Sequence, residues 1–399
     1  MNDTYDAVIV GGGPSGATAA TDLAKAGHKV LLLDRAGRIK PCGGAIPPRL
    51  IKDFDIPLSL LCARATSARM IAPSDMYVDM PVGKGFVGMV DRDVFDEWLR
   101  ARAESSGAER RSGTFEELER DADGTAVIAY RPHGAARGTD LTRIRAKVVL
   151  GCDGARSGIA RAALPDAERV PFVAAYHEVV ESPPEGTNGF DGGRCDVFYQ
   201  GKHSPDFYAW VFPHGGKTSI GVGSAKKGFP LREAVAALRV QTGLDGCETV
   251  RVEGAPIPLK PLKKWDNNRD VLVAGDAAGV VAPASGEGIY YAMTAGRMAA
   301  DSASAFLKTG DAKQLATARK RFMKDHGRVF MILGIMQYFW YSSDKRRERF
   351  VKICQDPDVQ QLTWDAYMNK ELVRAKPLAH VKIFFKDLGH LFGIGTVAP

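Results

Sequence analysis

The chain has 399 residues, 45% of them apolar and 25% charged, with a formal net charge of +7. That length accommodates two or three domains, and that balance excludes a long disordered stretch. The positive surplus favours anionic partners such as diphosphates or acidic lipid, while scattered basic residues without a recognition motif argue against nucleic acid. The six cysteines are Cys42, Cys62, Cys152, Cys195, Cys247 and Cys354. They form no C-x-x-C pair and no zinc spacing, which predicts reduced thiols in a cytoplasmic protein without a metal. Asp3 and Asp6 flank the first apolar run, unlike a secretory leader. The longest nearly unbroken apolar run, 329–341, falls short of the ~20 residues of a membrane span.

In chain order, 5–10 reads as a buried strand, 14–26 as a helix and 29–33 as a second buried strand. Together they predict a β-α-β unit that opens a parallel sheet. A Gly- and Pro-rich loop follows at 37–48. Residues 91–104 read as a helix with Phe95, Trp98 and Leu99 on one face, and 147–150 as a short buried strand. The segments 172–180, 194–200, 207–212 and 218–223 alternate or carry aromatics, as in an antiparallel sheet. His214-Gly215-Gly216-Lys217 suits a hairpin between the last two. Strand, glycine-rich turn and helix return from 271 to about 307, and the remainder from about 311 reads as helical, basic and aromatic.

Three motifs carry chemistry. In Gly11-Gly12-Gly13-Pro14-Ser15-Gly16, Gly11 permits the tight turn, Gly13 lets a pyrophosphate approach, and Gly16 allows close helix–strand packing. The helix N-terminus adds free N–H groups and positive potential. Asp34, eighteen residues beyond Gly16 and followed by Arg35, would accept adenosine ribose hydroxyls and repel a 2′-phosphate, which favours FAD or NAD. The second motif, Val148-Val149-Leu150-Gly151-Cys152-Asp153-Gly154, and the third, Val271-Leu272-Val273-Ala274-Gly275-Asp276, each deliver a carboxylate at the C-terminal end of an apolar strand. Either aspartate alone also fits a helix cap.

In series, the three resemble the flavoprotein superfamily of aromatic hydroxylases. That resemblance implies Asp276 on the ribityl chain of FAD, Asp153 near the pyrophosphate and the path of NAD(P)H, and Arg92 beside the flavin. In Pro283-Ala284-Ser285-Gly286-Glu287-Gly288-Ile289, open backbone N–H groups would face the flavin and favour its reduced, negative form.

Two further elements are Pro41-Cys42-Gly43-Gly44 and Pro205-x-x-Tyr208-x-Trp210-x-Phe212-Pro213. In a strand Tyr208, Trp210 and Phe212 share a face and make an apolar wall suited to a hydrocarbon. With these residues most of the chain resembles the geranylgeranyl reductases, and 47–81 is most similar to the branch that makes the phytyl tail of (bacterio)chlorophyll. The resemblance implies an α/β fold. A Rossmann-like FAD-binding domain (1–60, 85–165 and 265–310) would hold an inserted antiparallel-sheet substrate domain (61–84 and 166–264), with a C-terminal helical region at 311–399. The implied reaction is NADPH-driven saturation of isolated C=C bonds in geranylgeranyl diphosphate or geranylgeranyl (bacterio)chlorophyll. Cys42 and Tyr208 are candidate proton donors and Trp210 lines the hydrocarbon. A flavin monooxygenase and a non-catalytic prenyl escort are the rivals on related folds. The basic, apolar segments around 329–341 and at 378–394 fit either packed helices or peripheral contact with an acidic membrane.

Overall fold

A computed structural model describes residues 4–37, 39–136 and 138–370. Apolar runs buried on both faces can be satisfied only in the middle of a sheet, and they form its parallel core. Strand β1 (Thr4–Val10) lies between β2 (Val30–Asp34) and β10 (Thr142–Gly151), with β16 (Val271–Val273) beyond β10, all parallel. Strand β8 (Glu109–Arg120) pairs with β2 through residues 109–112 only. Its second half leaves to form an antiparallel meander with β9 (Ala126–Pro132) and the first half of β10. The strand expected at 147–150 is therefore the end of a longer one, buried from Val148 onward. Residues 142–146 face solvent on one side, so their apolar signal is diluted.

The second sheet has seven strands in the order β15 (Thr249–Pro258), β11 (Phe172–Glu181), β14 (Lys217–Ser224), β13 (Ala209–His214), β12 (Arg194–Phe198), β5 (Ser67–Ile71) and β6 (Tyr77–Pro81). Gly215-Gly216 joins β13 to β14 as the tight hairpin expected. Strands β3 (Ala45–Ile46), β7 (Val87–Val90) and β4 (Leu61–Ala65) form a small third sheet. Helix α5 (Leu231–Thr242) packs Val235 and Leu238 with Ile220 and Val222, while Trp210 belongs to a separate core that includes Trp340 and Tyr341.

Helix α1 (Pro14–Lys25) packs between α3 (Arg92–Ser105) and α6 (Ile289–Thr309); α2 (Pro48–Asp53) and α4 (Gly158–Ala163) are short. Helices α7 (Thr317–Trp340), α8 (Asp344–Ile353) and α9 (Pro357–Asn369) make the helical end that the sequence predicts. The amphipathic segment at 378–394 lies outside the described residues. Among the described residues no helix is long and apolar enough to cross a membrane.

The α1–α6 contact depends on Gly296, where an added Cβ would sit 2.2 Å from the Ser15 carbonyl oxygen. Alanine in an open helix would add stability. Here the overpacking term dominates, so Gly296→Ala should lower the unfolding free energy by ~1–3 kcal/mol in urea titration. An unchanged midpoint would contradict the close helix pair.

Candidate active site

The parallel strands β1, β2, β10 and β16 end at one edge of the sheet, where open α/β sheets bind ligands. Gly11, Asp34, Asp153 and Asp276 all emerge there. The glycine turn is built as its spacing predicts. Gly11 has φ +105° with its Cα against the Cys152 carbonyl, and a Cβ on Gly16 would collide with the Gly11 carbonyl at 1.9 Å. Around Gly13 there is open space, and the N-terminus of α1 has no side-chain cap and no acid in its first turn. An uncapped, positively polarised helix end above an open glycine is a cradle for a diphosphate. These residues fit a bound dinucleotide.

Ser15 is buried, its hydroxyl 3.5 Å from the Cys152 sulfur. Asp34 is held by Arg100, whose Nη1 donates to its carboxylate at 3.2 Å and to the Gly12 carbonyl at 3.3 Å; Arg35 beside it is exposed. Asp276 forms an ion pair with Lys40, a partner that the motif reading passes over although it sits two residues before Cys42. Asp153 has the alternative role open to a lone aspartate. Its carboxylate accepts from Ser157 Oγ and from the N–H groups of Gly158 (2.6 Å) and Ile159 (3.3 Å), capping α4. Burial raises its pKa despite those bonds.

Next to this edge lies a cavity of about 540 Å³. Lys40, Cys42, Gly43, Gly44, Arg92 and Asp276 line one end, together with Gly286, Gly288 and Ile289. Trp210 and Phe212 of β13 and Tyr208, just before the strand, line it, with neighbouring ring centroids 6.0 and 6.2 Å apart. Leu333, Trp340, Phe350 and Leu362 close it from α7, α8 and α9. Polar groups thus gather at the sheet edge, and the rest of the cavity is apolar.

Arg92 is 4% exposed and paired bidentately with Asp96 at 2.7 and 2.8 Å. Burial alone would lower its pKa; Asp96 and the Cys42 sulfur more than reverse that and raise it. The Gly44 N–H points at the Cys42 sulfur from 3.4 Å. The Tyr208 hydroxyl donates to the Ser285 carbonyl at 2.6 Å, and burial pushes its pKa well up.

Trp210 is fixed by groups that the sequence gives little sign of. Its indole N–H donates to Ser219 Oγ at 3.2 Å, and Ser219 meets His177 Nδ1 at 3.0 Å. His177 Nε2 in turn lies 2.8 Å from Glu253 Oε2 without hydrogen-bond alignment. Gly221 makes room for the indole, since a Cβ there would meet the ring at 2.2 Å. A glycine inside a strand facing a predicted tryptophan is the signal that could have found it.

The Cys42 loop is held by the end of the same strand. His214 Nε2 lies 3.1 Å from the Gly43 carbonyl, which can only accept, so that nitrogen carries a proton. Nδ1 faces Asp91 at 3.3 Å and Cys62 at 3.6 Å, while the Cys62 thiol also donates to the Met89 carbonyl. Hydrogen bonding to His214 holds the Asp91 carboxyl below its usual range, and burial pushes the Cys62 thiol up to about 12. Cys62, Asp91 and His214 carry metal-ligand atom types, but they satisfy one another and serve the loop.

The family of NAD(P)-binding Rossmann-like domains matches residues 9–60. A geranylgeranyl diphosphate reductase of Rhodobacter capsulatus is 55% identical over 98% of both chains. Its namesake from Synechocystis is 36% identical over 98% of both. A digeranylgeranylglycerophospholipid reductase of Methanocaldococcus jannaschii is 30% identical over 83% of this chain and 85% of that one. Among solved structures, a geranylgeranyl bacteriochlorophyll reductase-like protein of Thermoplasma acidophilum matches with a TM-score of 0.80 at 22% identity, over 94% of this chain and 99% of that one, a likeness of fold. With the glycine turn, the Cys42 loop and the aromatic strand in their places, these relatives settle the classification: the chain belongs to the geranylgeranyl reductase family.

Proposed function

We propose that this chain is an FAD-dependent reductase that saturates isolated C=C bonds of a geranylgeranyl chain, with NADPH as the reductant. The substrate would be geranylgeranyl diphosphate, as in the names of the relatives, or geranylgeranyl-esterified (bacterio)chlorophyll. One observation carries the reading: an apolar cavity walled by Tyr208, Trp210 and Phe212 opens directly onto the dinucleotide edge at Arg92, Asp276 and Gly288.

FAD, when bound, supplies hydride. The chain's own residues would do the rest. The α1 N-terminus takes the diphosphate, and Asp34 and Asp276 accept ribose and ribityl hydroxyls. The 286–289 turn would hold the ring system. An isolated alkene has no group to stabilise developing charge, so positive charge builds on its more substituted carbon. A water-excluded aromatic pocket suits that demand and prevents hydration of the cation. The other requirement is a proton. Tyr208 is poorly placed to give one, because its hydroxyl already donates to Ser285 and burial holds the proton on it. Cys42, lining the cavity beside Arg92, is the better candidate.

We extend the proposal to peripheral contact with an acidic membrane. On α7 Met331, Ile335 and Tyr338 are 60, 59 and 85% exposed, following exposed Arg321, Lys324 and Arg328 on the same helix. Ile332 is both exposed and part of the cavity lining, which supports an entrance for a lipid-soluble chain beside the apolar stripe.

Half-reactions test the site. Trp210→Ala should leave flavin reduction by NADPH near normal and slow the transfer from pre-reduced enzyme to a geranylgeranyl substrate. Cys42→Ser should slow that same transfer by ~10²–10⁴-fold if its thiol is the general acid. Equal losses in both half-reactions would indicate misfolding, and a normal transfer rate in Cys42→Ser would exclude it as donor. For the surface, flotation with vesicles containing anionic lipid should recover the protein, and Ile335→Asp with Tyr338→Asp should abolish recovery. Recovery unchanged by the substitutions would reject α7 as the contact.

A further inference from the structure

Lys370 ends α9 in the left-handed region, with φ +55°, a conformation that non-glycine residues seldom adopt without a reason. Its ammonium lies 2.7 Å from Glu287 Oε2, and the two side chains are 4% and 5% exposed. Three rings surround the cation, Tyr367 at 4.0 Å, Tyr291 at 5.6 Å and Tyr290 at 5.9 Å, each within cation–π range. Glu287 is anchored on its other side as well. Oε1 accepts the Tyr290 N–H at 3.0 Å, and its main-chain carbonyl accepts the Ala282 N–H at 2.9 Å. Glu287 sits between Gly286 and Gly288, in the turn assigned above to the ring of the cofactor.

We propose that Lys370, acting through Glu287, is a positioning residue that seats the 286–288 turn and ties α9 to it, linking occupation of the cofactor site to closure of the hydrocarbon cavity. The inference rests on the functional reading above. Its geometry is that of a bridge between the two ends of one cavity. Leu362, Thr363 and Tyr367 of α9 line the apolar part, and Gly286, Glu287 and Gly288 line the cofactor part. The end of α9 is also held by a 3.4 Å bond from Arg49 Nη1 to the Asn369 carbonyl and by packing of Tyr367 and Met368 near Val87 and Met89. Stability does not account for the pair. Removing both charges from the interior is often neutral or better, whereas removing one strands the other without a partner. What a buried pair supplies is a fixed distance between two elements. Here those elements are a turn that must face a ring and a helix that must close over a chain.

The test compares Lys370→Met, Lys370→Arg, Glu287→Gln and the double variant Lys370→Met with Glu287→Gln. Three quantities are measured: FAD affinity, melting temperature, and hydrogen exchange of residues 357–369 with and without FAD. In the unsubstituted protein FAD should slow exchange across 357–369. Lys370→Met should remove that response and weaken FAD binding by roughly tenfold, because the turn loses the buried ion-pair partner that seats it. Glu287→Gln should do the same, and Lys370→Arg should restore most of both. The double variant should recover the melting temperature without recovering the exchange response. The proposal is overturned if Lys370→Met keeps the FAD-dependent protection, or if the double variant regains it along with its melting temperature, since the pair would then be merely structural. Failure of the unsubstituted protein to bind FAD would overturn the functional reading itself, a separate outcome read before any variant.

Discussion

The contact on which the rest of the site depends is the grip of β13 on the Cys42 loop. Phe212 packs so closely that a Cβ on Gly43 would meet its ring at 3.0 Å, and a Cβ on Gly44 would meet the His214 ring at 2.4 Å. Two residues earlier the same strand presents Trp210 to the cavity, and Tyr208 just before the strand lines it too. A strand is stiff over such a span, with side chains at alternate residues on one face. The aromatic wall and the thiol-bearing loop are therefore packed against each other through the same strand. Two glycines are required because the backbone must pass under two rings, and Gly44 also takes φ +68°.

Charge is distributed along the cavity with equal economy. Ionised groups lie at the sheet edge and are matched there: Arg92 with Asp96, Lys40 with Asp276, Lys370 with Glu287. Beyond them burial pushes the tyrosine hydroxyls up, as at Tyr199 and Tyr341, and most of the lining is apolar. On the proposed reading, a long uncharged chain would lie there with little desolvation of ions, while the other end would supply the dipoles and charges to bind phosphate.

Much of this was legible in the sequence. The glycine turn, the strand-end aspartates and the aromatic strand are local patterns, each fixed by backbone geometry within a dozen residues. Tyr208, Trp210 and Phe212 do share a face, and Gly215-Gly216 does turn the hairpin. What escaped is non-local or ambiguous. Strand β8 is half-exposed and charged, so its alternation is weak, whereas β9 is a short apolar run, buried from 126 to 130, with no motif to mark it. β15 is polar on both flanks and shows no buried run. Asp153 illustrates ambiguity, because a carboxylate after a strand fits a ligand and a helix start equally until the fold places α4 beneath it. Lys370, more than eighty residues from Glu287, has no local pattern at all; only packing brings the pair together.

The proposed role of this cavity is to hold a prenyl chain while its double bonds are reduced. The most direct measurement is anaerobic incubation of purified, FAD-loaded protein with NADPH and geranylgeranyl diphosphate or its (bacterio)chlorophyll ester, followed by mass analysis of the prenyl product. The account predicts products that gain hydrogen in pairs, with no oxygen incorporated and no need for dioxygen. Product that forms only in air and carries an added oxygen atom, or unchanged substrate recovered bound to a flavin-free protein, would contradict it.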